Sequence, residues 1–249
     1  MNWDLRVHDV LDSTNEELRR QAEAGAPEGL AVLARRQTMG RGRRGRTWES
    51  PEGNLFLSLL LRPQVTPAEA AKLSFLTAVA LIETLDLAAP ALSPHIACKW
   101  PNDVLVRDAK IAGILLESRT RPGASLDWAS LDWVVVGIGV NLRQFPTDTP
   151  YPVTALAAHG VEATPEVFAP WLLARFGYWL GRWRSEGFAP VREAWLGRAQ
   201  GLGGPVVVRL PEGELQGRFA ALDESGALLL DLPDGRRQAI AAGDVFPVR

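Results

Sequence analysis

Apolar and polar positions along this chain fall into two textures, and the change comes near Gly201. Before it, long apolar runs alternate with helical stripes. Asp12-Ser13-Thr14-Asn15-Glu16 predicts a helix start, with Ser13 as cap, Glu16 completing a capping box and Leu18 opening a short amphipathic stretch. Residues 30–35 and 54–61 read as buried strands, the second following the turn signal Pro51-Glu52-Gly53. Thr66-Pro67-Ala68-Glu69 is a second capping box, and Leu73, Leu76, Ala80, Leu81 and Leu85 extend it into one long helix. Strands follow at 96–100, 104–106, 111–117 and 133–140. The first three lie close enough to pair as hairpins, which predicts a mixed, largely antiparallel sheet rather than a dinucleotide-fold alternation. A helix over 165–184 places Phe168, Trp171, Leu172, Phe176, Trp179, Leu180 and Trp183 on one stripe, read here as core.

Beyond Gly201-Leu202-Gly203-Gly204-Pro205 come short strands at 206–210, 214–222, 227–230, 237–241 and 245–248, punctuated by turns. They predict a small β-barrel of the Src-homology-3 type. The expected fold class is therefore α+β, with one domain over 1–200 and a small second domain over 201–249.

Composition narrows the function. Lys+Arg at 27 against Asp+Glu at 29 leaves a formal charge of −2, so no global basic field favours nucleic acid or a membrane surface, and any basic site is local. Cys98 is the single cysteine, which excludes an internal disulfide and fits a reducing cytoplasm. His8, His95 and His159 have neither metal nor triad spacing. The amino-terminal residues lack a signal peptide's apolar run, and no later run approaches the roughly 18 apolar residues of a membrane span, so a soluble protein is expected.

The local basic site is Gly40-Arg41-Gly42-Arg43-Arg44-Gly45-Arg46, between the first two predicted strands. Gly40, Gly42 and Gly45 match a dinucleotide fingerprint literally, but that motif must lead from a strand into a helix, and here a turn and another strand follow. A P-loop fails on the same ground and on Arg46 standing where lysine is required. What remains is a glycine-loosened loop whose amides and guanidiniums suit a phosphate-bearing ligand. Its arginines have no neutralising partners nearby in sequence, so residues 40–48 are expected to order only around a ligand. A solvated surface loop or a nucleic-acid contact would look the same in isolation.

Lys99-Trp100-Pro101-Asn102-Asp103 ends a strand in a turn that can face Lys99 and Asp103 into one cleft. Lys110 opens the next strand, where Ala112 and Gly113 remove bulk, and Gly137-Ile138-Gly139-Val140-Asn141 is a strand thinned by glycine. Glycine costs stability in a strand, so its use beside two lysines points to a close ligand approach.

In order and spacing, these pieces resemble the biotin protein ligase family over residues 9–141, and the terminal barrel also fits. The resemblance implies a catalytic domain like that of biotin/lipoate ligases and class II synthetases. It implies an ATP-dependent enzyme that activates biotin as biotinyl-5'-AMP and transfers it to a lysine of a biotin carboxyl carrier protein or domain. By that resemblance Ser13, Thr14, Asn15, Gln37, Gly40, Arg41, Gly42, Arg43, Lys110 and Gly113 bind biotin, with Arg43 and Lys110 catalytic. Arg46, Trp48, Lys99, Asn102, Asp103 and Asn141 line the ATP side. Mg²⁺ is expected with ATP, with Asp103 as the candidate protein ligand. Regulatory members carry a DNA-binding winged helix before the catalytic domain, and none is legible before Ser13, so no DNA partner is expected; a homodimer is left open. Tyr151-Pro152-Val153-Thr154 departs from the tryptophan that some relatives place near adenine, which leaves adenine packing unassigned. A lipoate ligase or octanoyltransferase is the nearest alternative, and a nonenzymatic RNA-binding protein the alternative from another class.

Overall fold

The computed structural model describes residues 1–121, 130–211 and 213–248. Its larger layer is a seven-stranded sheet in the order β1-β2-β3-β7-β6-β5-β4. The strands are β1 (Asp4–Leu11), β2 (Leu30–Gln37), β3 (Leu55–Leu61), β4 (Ile96–Lys99), β5 (Asp103–Val106), β6 (Ala109–Thr120) and β7 (Leu131–Val140). Only β1 and β2 run parallel; the remaining pairs are antiparallel, as the hairpin spacing predicts.

Side-chain alternation along β3 and β7 sorts the two faces. Leu55, Leu57, Leu59, Leu61, Val134, Val136 and Ile138 pack beneath α3 (Leu73–Ala88), α4 (Pro165–Glu186) and α5 (Ala189–Leu196) in the main core. Leu60, Trp133 and Val135 face the other way, against Leu18 and Ala22 of α1 (Thr14–Glu23). Beyond the reach of α1 the same face turns from apolar to glycine and polar residues, and there the site lies.

A separate five-stranded antiparallel sheet follows, in the order β11-β10-β9-β8-β12. It comprises β8 (Pro205–Leu210), β9 (Gly213–Leu222), β10 (Leu228–Asp231), β11 (Arg237–Ile240) and β12 (Asp244–Pro247). Trp195 bridges the layers, edge-on to Phe75 of α3 at 5.4 Å and tilted against Phe219 of β9 at 6.5 Å. The connecting chain runs beside β4: the Cys98 amide donates to the Arg198 carbonyl at 2.7 Å and the Gln200 amide to the Cys98 carbonyl at 2.8 Å, which covers that sheet edge.

Several expectations need correcting. β1 is not foreseen, because its residues lie on a sheet edge and are mostly exposed, so their alternation is weak. α5 is also missed. Ser13 occupies the N-cap of α1, but its side chain makes no capping hydrogen bond. Glu16 is drawn away from the capping box by Arg19 and Arg41. The long helix after Thr66 is two pieces, α2 (Pro67–Ala71) and α3, separated at Lys72, although Thr66 Oγ1 does accept from the Glu69 amide at 3.3 Å. On α4 the apolar stripe is buried except Trp171, which is 43% exposed.

Candidate active site

Three neighbouring strands supply a floor. Strand register sets Phe56 of β3, Gly139 of β7 and Gly113 of β6 side by side, then Ser58, Gly137 and Leu115, then Leu60, Val135 and Glu117. Glycine at three of these nine places has a direct cause. A Cβ on Gly139 would stand 2.5 Å from Trp48 Cε2, one on Gly113 3.0 Å from Trp48 Cζ3, and one on Gly137 2.2 Å from Asn15 Oδ1. The expected close approach is real, but the groups lying on the glycines are the protein's own Trp48 indole and Asn15 amide.

Over this floor runs a chain of hydrogen bonds whose direction is fixed at both ends. Glu117 Oε2 lies 2.7 Å from Asn15 Nδ2, and a carboxylate can only accept, so the amide's orientation is set. Ser58 Oγ lies 2.6 Å from Asn15 Oδ1 and 2.7 Å from Thr14 Oγ1. It has one proton, which goes to the amide oxygen, so the Thr14 hydroxyl donates toward Ser58 Oγ, with Gln37 Oε1 as its second acceptor at 3.1 Å. The Thr14 amide donates to Gln37 Oε1 at 2.8 Å, Gln37 Nε2 to Ser50 Oγ at 2.9 Å, and Ser50 Oγ to the Trp48 carbonyl at 2.9 Å. Ser13, Thr14, Asn15 and Ser58 are all buried. The hydrogen-bonded members Thr14, Asn15 and Ser58 are rigid, since breaking one bond strands the next.

The arginine loop closes the cavity from above as a short hairpin. Arg41 bridges Thr47, the Gly42 amide donates to the Arg46 carbonyl at 2.7 Å, and the Trp48 amide to the Gly40 carbonyl at 3.0 Å. Gly40 has no room for a side chain, because a Cβ would meet the Trp48 carbonyl at 2.2 Å. The sequence shows no partners near these arginines, and in the structure each has one that is remote in the chain. Arg41 pairs with Glu16 at 2.8 Å, Arg43 Nη1 donates to Asn102 Oδ1 at 2.7 Å, and Arg44 and Arg46 approach Asp244 of β12 at 3.5 and 3.3 Å. The second sheet thus reaches the site through one carboxylate.

Two lysines sit differently beside this loop. Lys110 Nζ pairs with Asp103 Oδ1 at 2.7 Å and lies 5.4 and 5.7 Å from the Trp48 and Tyr151 rings. Lys99 Nζ rests 4.1 Å from the centre of the Phe246 ring. Burial pushes Lys99 below the ordinary lysine range, and burial likewise lowers Arg43. The free space between loop and floor is about 80 Å³, against the ~300–1,000 Å³ usual for ligand pockets, so a sizeable ligand requires the loop or Trp48 to move.

Ser13, Thr14, Asn15, Gln37, Arg41, Gly42, Arg43, Arg46, Trp48, Asn102, Asp103, Lys110 and Gly113 all line this one cavity. Gly40, Lys99 and Asn141 stand outside its wall. Asn141 is buried, where its Nδ2 donates to the Thr154 carbonyl at 3.1 Å and holds the segment bearing Tyr151. Residues not anticipated from sequence are Ser58, Glu117 and Asp244, whereas Tyr151, noted where some relatives have a tryptophan, lines the wall. Ser58 carried a usable signal, being the one hydroxyl in the apolar run Leu55–Leu61; the other two are visible only once strands are paired.

A two-sheet α+β protein whose larger sheet presents a polar head-group pocket beneath a cationic loop has the makings of an adenylate-forming ligase. Residues 7–141 match the biotin/lipoate A/B protein ligase family, and residues 201–246 match the biotin protein ligase C-terminal domain. The chain is 44% identical to the biotin–[acetyl-CoA-carboxylase] ligase of Paracoccus denitrificans, over 94% of this chain and 97% of that protein. It is 33% identical to the bifunctional ligase/repressor BirA of Bacillus subtilis, over 97% of this chain and 74% of that protein. Among solved structures, the Aquifex aeolicus biotin protein ligase in complex with biotin and ATP superposes with a TM-score of 0.81 at 29% identity, covering 98% of each chain. The chain belongs to the biotin/lipoate A/B protein ligase family, and within it to the biotin protein ligases, enzymes that use ATP to activate biotin and pass it to an acceptor protein.

Proposed function

We propose that the directed hydrogen-bond chain of Thr14, Asn15, Gln37 and Ser58, with Ser13 beside it, receives the polar biotin head group, and that Lys110, Arg43 and Arg46 receive the phosphates. The observation that carries this reading is that Ser13, Thr14, Asn15 and Gln37 line one cavity with Lys110, Arg43 and Arg46, while Ser58 is buried behind Thr14 and Asn15. A neutral, satisfied network suits a ureido group, and a cluster of cations suits the meeting of two anions.

In the first step a biotin carboxylate oxygen attacks the α-phosphorus of ATP, forming the acyl–phosphate bond of biotinyl-adenylate as pyrophosphate leaves. Repulsion between the reactants is the obstacle, and Lys110 offsets it while Asp103 holds its ammonium in place. In the second step the acceptor lysine's neutral amine attacks the acyl carbon; AMP leaves, and the amine's surplus proton passes to solvent. The acceptor supplies the nucleophile, so buried Cys98, whose thiol burial raises far above its ordinary value, has no catalytic part. The acceptor is a biotin carboxyl carrier protein or domain.

Mg²⁺ enters as part of the nucleotide substrate, held chiefly by phosphate and water. Asp103 is the nearest carboxylate to the Lys110 cation, and its engagement there fits orientation of Lys110 better than a dedicated metal cage. The reading divides the chain into a catalytic unit over 1–200 and a supporting unit over 201–249. The described residues include no helix long and apolar enough to cross a membrane, and the use of ATP with one reduced cysteine suits the cytoplasm.

The test is ATP–pyrophosphate exchange. It should depend on biotin; exchange that responds only to lipoate would assign the site to the other branch of the family.

A further inference from the structure

We propose that Glu117 is a positioning residue that couples the biotin head-group pocket to the arginine loop, holding the Asn15 amide with one carboxylate oxygen and Arg41 with the other. The inference rests on the assignment of Asn15 and Arg41 to the biotin side. Glu117 stands on β6 on the same face as Gly113 and Leu115, paired with Val135 and one row from Gly137, where the Asn15 amide lies. Its Oε2 is 2.7 Å from Asn15 Nδ2 and its Oε1 3.5 Å from Arg41 Nη2. Arg41 is shared with Glu16 at 2.8 Å, but Glu16 is also taken by Arg19, which leaves Glu117 as the anchor that reaches both loop and pocket.

The consequence is chemical. A ureido group presents one acceptor between two donors, so its binding depends on each wall group keeping its donor and acceptor ends in place. Ser58 alone does not fix the Asn15 amide, because a hydroxyl donates or accepts equally well. The Glu117 carboxylate only accepts, and it thereby sets the direction of every bond from Asn15 to Thr14. The same charge draws down Arg41 and with it the hairpin that carries Arg43 and Trp48. A head group bound against a correctly polarised Asn15 therefore meets a closed loop.

Glu117→Ala and Glu117→Gln separate the two contacts, since glutamine keeps an acceptor for Asn15 but loses the charge facing Arg41. In biotin-dependent ATP–pyrophosphate exchange, Glu117→Ala should raise the biotin KM about tenfold, about 1.4 kcal/mol, with the ATP KM and kcat changed by less than about twofold. Tryptic cleavage within the loop under saturating biotin should rise in both variants. Glu117→Gln should fall between parent and alanine in biotin KM. The role is overturned if Glu117→Ala leaves the biotin KM at the parent value, or raises both substrates' KM alike. Should alanine prevent folding, Glu117→Gln decides the matter: parent-like KM together with parent-like loop cleavage sinks the proposal. An active parent with unmoved variants removes this role alone, whereas a parent without biotin-dependent exchange removes the assigned function with it.

Discussion

At the head-group end of the cavity, Thr14, Asn15, Gln37, Ser50 and Ser58 are short neutral side chains locked to one another and to the sheet. At the proposed phosphate end, Arg43, Arg44, Arg46 and Lys110 are long cations, each resting on a partner elsewhere in the chain, with Lys99 outside the wall on Phe246. The first end is finished before any ligand arrives, because a buried polar chain tolerates no loose member. The second is a set of separate contacts: the Arg44 and Arg46 pairs with Asp244 are the exposed ones and are worth about 0–1 kcal/mol each, so a polyphosphate can displace them singly. On the proposed assignment, one end would select the acid by shape and polarity and the other would gather charge.

The largest effect should come from Lys110→Gln, which removes the cation placed between two anions. Loss of a comparable electrostatic contact costs about 2.7–4 kcal/mol of barrier, or roughly 100- to 1,000-fold in adenylate formation. Transfer from supplied biotinyl-adenylate should fall much less, since the repulsion belongs to the first step. Lys110→Arg keeps the charge with a different shape and should lie between. Equal loss in both half-reactions would show that Lys110 serves something other than charge neutralisation.

Arg43→Gly comes next. It deletes the guanidinium that donates to Asn102 across the cavity mouth, and a hydrogen bond to a charged group contributes about 1.5–3 kcal/mol. Adenylate should therefore escape roughly 10- to 100-fold faster, acylating bystander lysines near the enzyme. Retention of radiolabelled adenylate through gel filtration measures this directly; a variant that holds it as tightly as the parent excludes Arg43 as the retaining group.

Ser58→Ala tests the opposite end. Asn15 would lose its donor inside a buried pocket and Thr14 would keep only Gln37 Oε1 at 3.1 Å, which costs about 1–3 kcal/mol. The thermal midpoint should drop, and the biotin KM should rise about tenfold while the ATP KM holds. A rise in the ATP KM alone would mean that the two ends are not chemically separate.

How much of this was legible in the chain follows the same division. Turn residues and glycines are local signals, so the arginine loop, the Lys-Trp-Pro-Asn-Asp run and the thinned strands around Gly113 and Gly139 can be read without coordinates. Partnership is not local. Asp244 lies about 200 positions from Arg44, and nothing in the sequence aligns them, so the loop's partners could not be read from its neighbours in the chain. Glu117 reads as an ordinary polar strand residue until β6 is set against β7. Edge strand β1 stayed hidden because exposure leaves its alternation weak, whereas β3, buried on both faces, announced itself as an unbroken apolar run with one serine.

The smallest effect concerns Lys99, and it asks whether a cation parked outside the cavity wall joins the phosphate end at all. Burial depresses its folded value below that of the unfolded chain, so the protonated form is penalised in the fold. That penalty is fully present below the folded value and is relieved as pH rises through it toward the unfolded value near ~10.4. A polyphosphate brought close favours the ammonium and moves its value back up. ATP binding at alkaline pH, between the unliganded and liganded values, should therefore take up a fraction of a proton, growing as pH rises from neutral. Calorimetric titrations in buffers of different ionisation enthalpy read this uptake, and Lys99→Gln should abolish it. Phe246→Ala exposes Lys99 to water, which raises its unliganded value and shrinks the uptake; loss of the cation–π contact, worth about 0.5–1 kcal/mol, should shift ATP affinity by only a few fold. If the parent takes up no proton at any alkaline pH, Lys99 stays on Phe246 when ATP binds, and its place in the fold is to pin β12 rather than to meet the nucleotide.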